Sequence, residues 1–133
     1  MGALLYKGRA ANNELIVDSS AIGAQQAAAT EETKDAIEQL LDYVATYLDD
    51  GIIFRKSDMI LAAHVDAGFL NKSKARSRAG VHIFLSENEP KPKLNGPVLT
   101  ISQIIKTVMA SEAESEMAAL YIIARKMIPL RNT

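Results

Sequence analysis

Between Thr30 and Leu48 the residues Ile37, Leu40, Leu41, Val44 and Leu48 recur at helical spacing, which predicts an amphipathic helix. Thr30 is placed to cap it, and Glu31 and Glu32 set negative charge in the first turn, where the helix dipole favours it. Upstream, Asn13 to Gln26 is rich in Ala and carries Leu15, Ile16 and Ile22, a second helix that would pack on the first. Asp49-Asp50-Gly51 ends the helical pattern. Beyond it, Ile52-Ile53-Phe54 and Met59-Ile60-Leu61 flank a polar Arg55 to Asp58 turn and read as two short strands. Val81, Ile83 and Leu85 alternate with His82 and Phe84, a third strand; Glu87 to Gly96 is a polar loop, and the chain returns as a strand from Pro97 to about Val108. Ser111 and Glu114 form a capping box that opens a helix running to about Ile128 and closed by Pro129. The order helix, helix, strands, helix predicts an α+β fold with antiparallel pairing, divided into a helical segment 1–50 and a strand-and-helix domain 51–133.

Composition narrows this picture. The chain has 133 residues, 48% of them apolar, about one domain's worth of core. Fifteen basic against sixteen acidic residues leave a net charge of -1, so adhesion to nucleic acid through bulk charge is excluded and any such binding must be local. With no Cys there is no disulfide framework and no thiolate metal site. No stretch approaches the roughly 18 apolar residues of a membrane span, and the apolar run at the start is too short for a signal peptide. The expectation is a soluble intracellular chain, cytoplasmic or nuclear.

Candidate chemistry gathers in two acids. In the Ser111 helix, Glu112 and Glu114 are explained by dipole and capping. Glu116 is not, because its neighbours four, seven and eleven residues on are Leu120, Ile123 and Met127, so it borders the face that packs on the sheet. A carboxylate there either finds a partner or a metal, or reaches out to solvent. Asp66 ends the apolar run Met59 to Val65 and shares a strand face with His64 two residues before it. That pair reads either as metal chelation or as a strand terminus with a hydrogen-bonded turn Asp. Lys72, Lys74, Arg76 and Arg78 occupy every second position and, if extended, line one face; they read either as a phosphate-following stripe or as charges that keep an edge strand from aggregating. Tyr47-Leu48-Asp49-Asp50 matches the Tyr-x-Asp-Asp box of reverse transcriptases, but Tyr47 and Leu48 continue the helical pattern from Ile37, and the match reads as a helix stop.

Three of these stretches, His64-Val65-Asp66-Ala67, Arg76-Ser77-Arg78-Ala79-Gly80 and Ser111-Glu112-Ala113-Glu114-Ser115-Glu116-Met117, stand in the order found in the first half of the ribonuclease H domain of copia-type retrotransposons. The chain resembles that family also in its helical part, including Leu40-Leu41-Asp42-Tyr43-Val44, which is similar to the connection preceding the domain. The resemblance departs at Gly68, where the family places a polar residue, and at the end, where only Leu130 to Thr133 follow Pro129.

The resemblance implies a helical connection followed by a partial ribonuclease H-like fold, antiparallel strands with a helix across them, truncated before the fourth strand. It implies Asp66 and Glu116 as catalytic magnesium ligands in a metal-dependent hydrolysis of RNA in RNA-DNA hybrids. Only two of the family's acids are then present, so activity would be weak or lost. Lys72, Lys74, Arg76 and Arg78 would contact substrate. The alternative is a non-catalytic nucleic-acid-binding or assembly module that uses those four cations. A sheet lacking a fourth strand also leaves an edge open to self-association.

Overall fold

The computed structural model describes residues 2–72 and 75–132, with the backbone alone described for Asn71 and Lys72. The chain is α+β, with four α-helices and a three-stranded antiparallel sheet among the described residues, in two compact units, Met1–Ile52 and Ile53–Thr133.

The first unit holds α1 (Gly2–Ala10), α2 (Leu15–Ala24) and α3 (Glu31–Thr46). Helix α1 was absent from the sequence expectation; it lies close against α2 at Gly8, where a Cβ would come within 3.1 Å of Ile16 Cγ1. Asn12, buried, accepts the Glu14 amide on Oδ1 at 3.0 Å and turns the chain into α2. The Thr30 cap is present, with Thr33 in the place a capping box gives to Glu: Thr30 Oγ1 accepts from the Thr33 amide at 3.3 Å and Thr33 Oγ1 from the Thr30 amide at 3.2 Å. Leu15, Ile22 and Leu40 form the core of this unit, with Leu4, Ile37 and Val44 packed around them. Helix α3 ends at Thr46 and Tyr47 is its C-cap, so the Tyr47 to Asp50 box is a helix stop.

In the second unit β1 (Ile60–Lys72), β2 (Arg76–Ser86) and β3 (Pro97–Ile104) pair antiparallel in the order β1-β2-β3, which leaves β1 and β3 as edges. Val65 faces Val81 and Asp66 faces Gly80 in a ladder that is regular from Ile60 to Gly68. The two short strands expected around Arg55 to Asp58 do not form. Residues 51–59 carry no ladder, Ile53 and Phe54 are exposed, and Met59 sits at φ 61, outside the extended range a strand needs. Asn95 ties this segment down instead, accepting from the Arg55 amide at 2.7 Å and donating to the Arg55 carbonyl at 2.9 Å. The return strand ends at Ile104, and a single further bond, from the Ile105 amide to the Ser77 carbonyl at 2.8 Å, carries the β2 register one residue beyond it.

Helix α4 (Glu112–Arg131) packs on β1 and β2 through Ser115, Ala119 and Ile123, one residue per turn. The odd-numbered residues of β1 and β2, among them Val65, Ala67, Ala79, Val81 and Ile83, meet this stripe. Ser111 caps α4 by accepting the Glu114 amide at 3.2 Å, while Glu114 Oε2 reaches past Ser111 to the Ala110 amide at 2.6 Å. Pro129 does not close the helix. It lies within the last turn, and α4 continues to Arg131. Among the described residues no helix is long and apolar enough to cross a membrane.

Candidate functional site

Between β1 and α4 a cavity of about 190 Å³ is lined by Val65, Asp66, Ala67, Glu116, Ala119 and Leu120. Three consecutive strand residues on one wall mark it as wrapping the edge of β1, since alternation alone would set Asp66 on the face away from α4. The two acids singled out in the sequence, 66 and 116, are thus brought to one cavity by the strand and the first turns of the helix. Both carboxylates are exposed. Glu116 is held in place by its neighbour: Ser115 is fully buried, and its hydroxyl shares a hydrogen bond of 2.9 Å with that of Ser77 on β2.

His64 lies on the same sheet face as Asp66, and its ring stacks on Phe84, centroids 5.2 Å apart and planes at 18°. His82, its cross-strand neighbour, tilts against the same ring and bonds through Nε2 to the Asn95 carbonyl at 3.1 Å. Both imidazoles are therefore engaged in sheet packing. Among the described residues no group of three or more His, Asp or Glu side chains is placed to hold a metal ion.

The four basic residues do not form one extended row. The chain reverses between Lys72 and Arg76, which are cross-strand partners, with Ala75 at φ 51 in the turn. Arg78 is buried to 8% exposure and donates from Nη1 to Ser102 Oγ at 2.9 Å, so its guanidinium is committed within the sheet. Lys74 lies outside the described residues, as does the Lys72 side chain.

Sequence reasoning missed the buried hydroxyl chain beside the cavity. The Leu70 amide donates to Ser77 Oγ at 3.2 Å, Ser77 meets Ser115, and Ser115 Oγ reaches the Ser111 carbonyl at 3.3 Å. Its signal was available, since Ser115 falls four residues before Ala119 and eight before Ile123, on the stripe that faces the sheet.

A larger cavity, about 490 Å³, lies in the helical unit between α2 and α3, with Leu15, Ile22 and Leu40 as its apolar floor and Glu14, Asp18 and Tyr43 among its polar lining. The Tyr43 hydroxyl donates to the Glu14 carboxylate, and that bond, with smaller help from desolvation and the nearby negative charge, pushes the phenol up to about 12.

No family model, curated protein or solved structure matches this chain.

Proposed function

We propose that the Asp66 and Glu116 cavity is a reduced ribonuclease H-like site, in a chain descended from a copia-type retrotransposon polyprotein, and that its substrate is the RNA strand of an RNA-DNA hybrid. The observation that carries this reading is that two acidic residues, fifty positions apart in sequence, line one cavity between β1 and α4. The antiparallel strands with α4 laid over β1 and β2 support it as the partial fold the resemblance implies.

Two carboxylates suit one magnesium ion that keeps most of its water, because Mg²⁺ is commonly held by one or two carboxylates with water completing the octahedron. When bound, the ion would polarise a phosphate oxygen and lower the pKa of its water. Asp66 and Glu116 are the residues that would hold the cation, and the Ser77 to Ser115 bond keeps the first turns of α4, and with them Glu116, against the sheet. Ala119 and Leu120 make the remaining helix wall apolar, which limits competing hydration there. A single-ion site lacks the paired-metal clamp, so cleavage is expected to be slow.

The test is cleavage of an end-labelled RNA-DNA hybrid by the purified chain in magnesium, with calorimetric titration of magnesium alone. Slow cleavage and weak magnesium binding are expected, both lost in Asp66→Asn and Glu116→Gln. A folded wild-type chain that neither binds magnesium nor cleaves would overturn the reading. Hybrid binding that survives both substitutions and weakens when Lys72 and Arg76 are neutralised would favour the non-catalytic binding module, which the facing positions of those two residues across the hairpin support.

A further inference from the structure

Strand β1 is an edge of unusual openness. It is 13 residues long, has no Pro, and carries no Lys or Arg between Ile60 and Asn71, so over its regular stretch from Ile60 to Gly68, before the irregularity that holds Leu70 at φ 47, neither Lys nor Pro blocks edge pairing. The opposite edge, β3, is shorter at 8 residues and starts with a Pro. We propose that two copies of this chain pair antiparallel along β1 about a two-fold axis at Val65, joining their sheets into one of six strands. This pairing requires no metal, and because it takes up Asp66 and the Val65 to Ala67 edge it would compete with the hydrolytic reading for that surface.

The register follows from the residues. Outward-pointing backbone groups on an edge strand occur at alternate residues, so an antiparallel partner must place odd positions opposite odd and even opposite even. Both copies of α4 then lie on the same face of the joined sheet. Within the regular stretch of β1 three central registers are available. An axis at His64 sets the two imidazoles opposite each other and Asp66 opposite Ala62. One at Asp66 sets two carboxylates opposite each other, which is repulsive. An axis at Val65 sets His64 opposite the partner's Asp66 and Asp66 opposite the partner's His64, an imidazole donor against a carboxylate acceptor twice over. Both side chains are exposed and on the same sheet face. On the helix side the same register matches Val65 with itself and Ala63 with the partner's Ala67, each apolar against apolar.

Helix α4 adds apolar area at the same edge. It packs on β1 and β2, and beside the β1 edge it leaves Leu120 47% exposed, with Met117 66% exposed on its outer side. A second α4 on the same face of the joined sheet would cover this surface. Glu116 is the one group there that opposes association, because the two-fold axis brings it toward the partner's Glu116.

The absence of Cys makes the test direct. Val65→Cys in the full chain should form a disulfide-linked dimer under mild oxidation, while Val98→Cys, exposed on β3, should not. Sedimentation of the wild-type chain should show a concentration-dependent dimer. His64→Asp, which puts carboxylate against carboxylate twice, should weaken it about tenfold, and the exchange His64→Asp with Asp66→His should restore it. Glu116→Gln should tighten the dimer, although the same change removes a metal ligand in the hydrolytic reading, so the two proposals fail separately. A wild-type monomer at every concentration, cross-linking through Val98→Cys rather than Val65→Cys, or an exchange variant no better than His64→Asp would overturn the pairing. If Val65→Cys does not fold, the His64 and Asp66 exchange, at exposed positions, decides alone.

Discussion

Among the described residues the helical unit buries four apolar side chains, Leu15, Ile16, Ile22 and Leu40, while the sheet unit buries ten, from Ala62 to Ile123. The helical unit adds hydrogen bonds at its helix ends, the reciprocal Thr30 and Thr33 bonds and the Asn12 turn. The sheet unit adds a pair of hydroxyls buried between strand and helix and bonded to each other. Local signals dominate the first unit, where Thr33 to Gln25 and Tyr43 to Glu14 are side-chain bonds between elements, and cross-element contacts dominate the second. Substitutions in the sheet unit should accordingly be felt across elements, and those in the helical unit near where they are made.

The largest expected effect is at Ile83, which is fully buried against Val81 and Ile123. Ile83→Ala should cost about 2–5 kcal/mol, measured by urea denaturation with hydrogen exchange at β2 as the local probe. The comparable cut Leu40→Ala, in the thinner helical core, should cost less; an equal loss would break the contrast between the units. Next is Ser115→Ala, which removes one partner from the buried Ser77 hydroxyl and should destabilise the sheet unit by about 1–3 kcal/mol. The double variant with Ser77→Ala leaves no hydroxyl short of a partner and should recover part of that loss, less the cost of taking the acceptor from the Leu70 amide.

The smallest effect concerns alkaline pH. Tyr43 is raised to about 12 from an ordinary value of 10.0, chiefly by its bond to Glu14, so folding favours the protonated phenol. Its contribution to the helical unit is full below about pH 10 and fades as the pH climbs through 12. Tyrosinate absorbance should show one residue titrating near 12, and Tyr43→Phe should remove both that step and the associated pH dependence. A Tyr43 that titrates with the other tyrosines would remove this link between α2 and α3.

What could be read from sequence divides along the same line. The Thr30 helix was legible because its cap, first-turn acids and apolar stripe all lie within twenty residues, and the Ser111 helix for the same reason. The segment 51–59 misled, since Ile52, Ile53, Phe54 and Met59 have strand-like side chains but no partner strand. Asn95, some forty residues away, supplies the hydrogen bonds that a ladder would have supplied. The basic residues looked like one row because the reversal before Arg76 places Ala75, rather than the Gly or Asn that usually marks such a backbone, at positive φ. Asp66 and Glu116 were each conspicuous, as acids at the ends or borders of apolar patterns. That they share a cavity depends on the β1 edge and the crossing of α4, which alternation alone did not reveal. Arg78 was counted as a surface cation because nothing local announces its bond to Ser102 on the neighbouring strand.

The bond between Ser77 and Ser115 also has a mechanical side. It fastens α4 near its start, next to Glu116, whereas the last turn holds Pro129, which supplies no amide hydrogen, and an exposed Ile128. Sixteen residues separate Ser115 from Arg131, a lever arm of about 24 Å at the helical rise. Along that arm Ile123, Met127 and Leu130 seat the helix on the Val81 and Ile83 cluster, so the hydroxyl bond sets where α4 begins on the sheet and apolar contact holds the rest of its length.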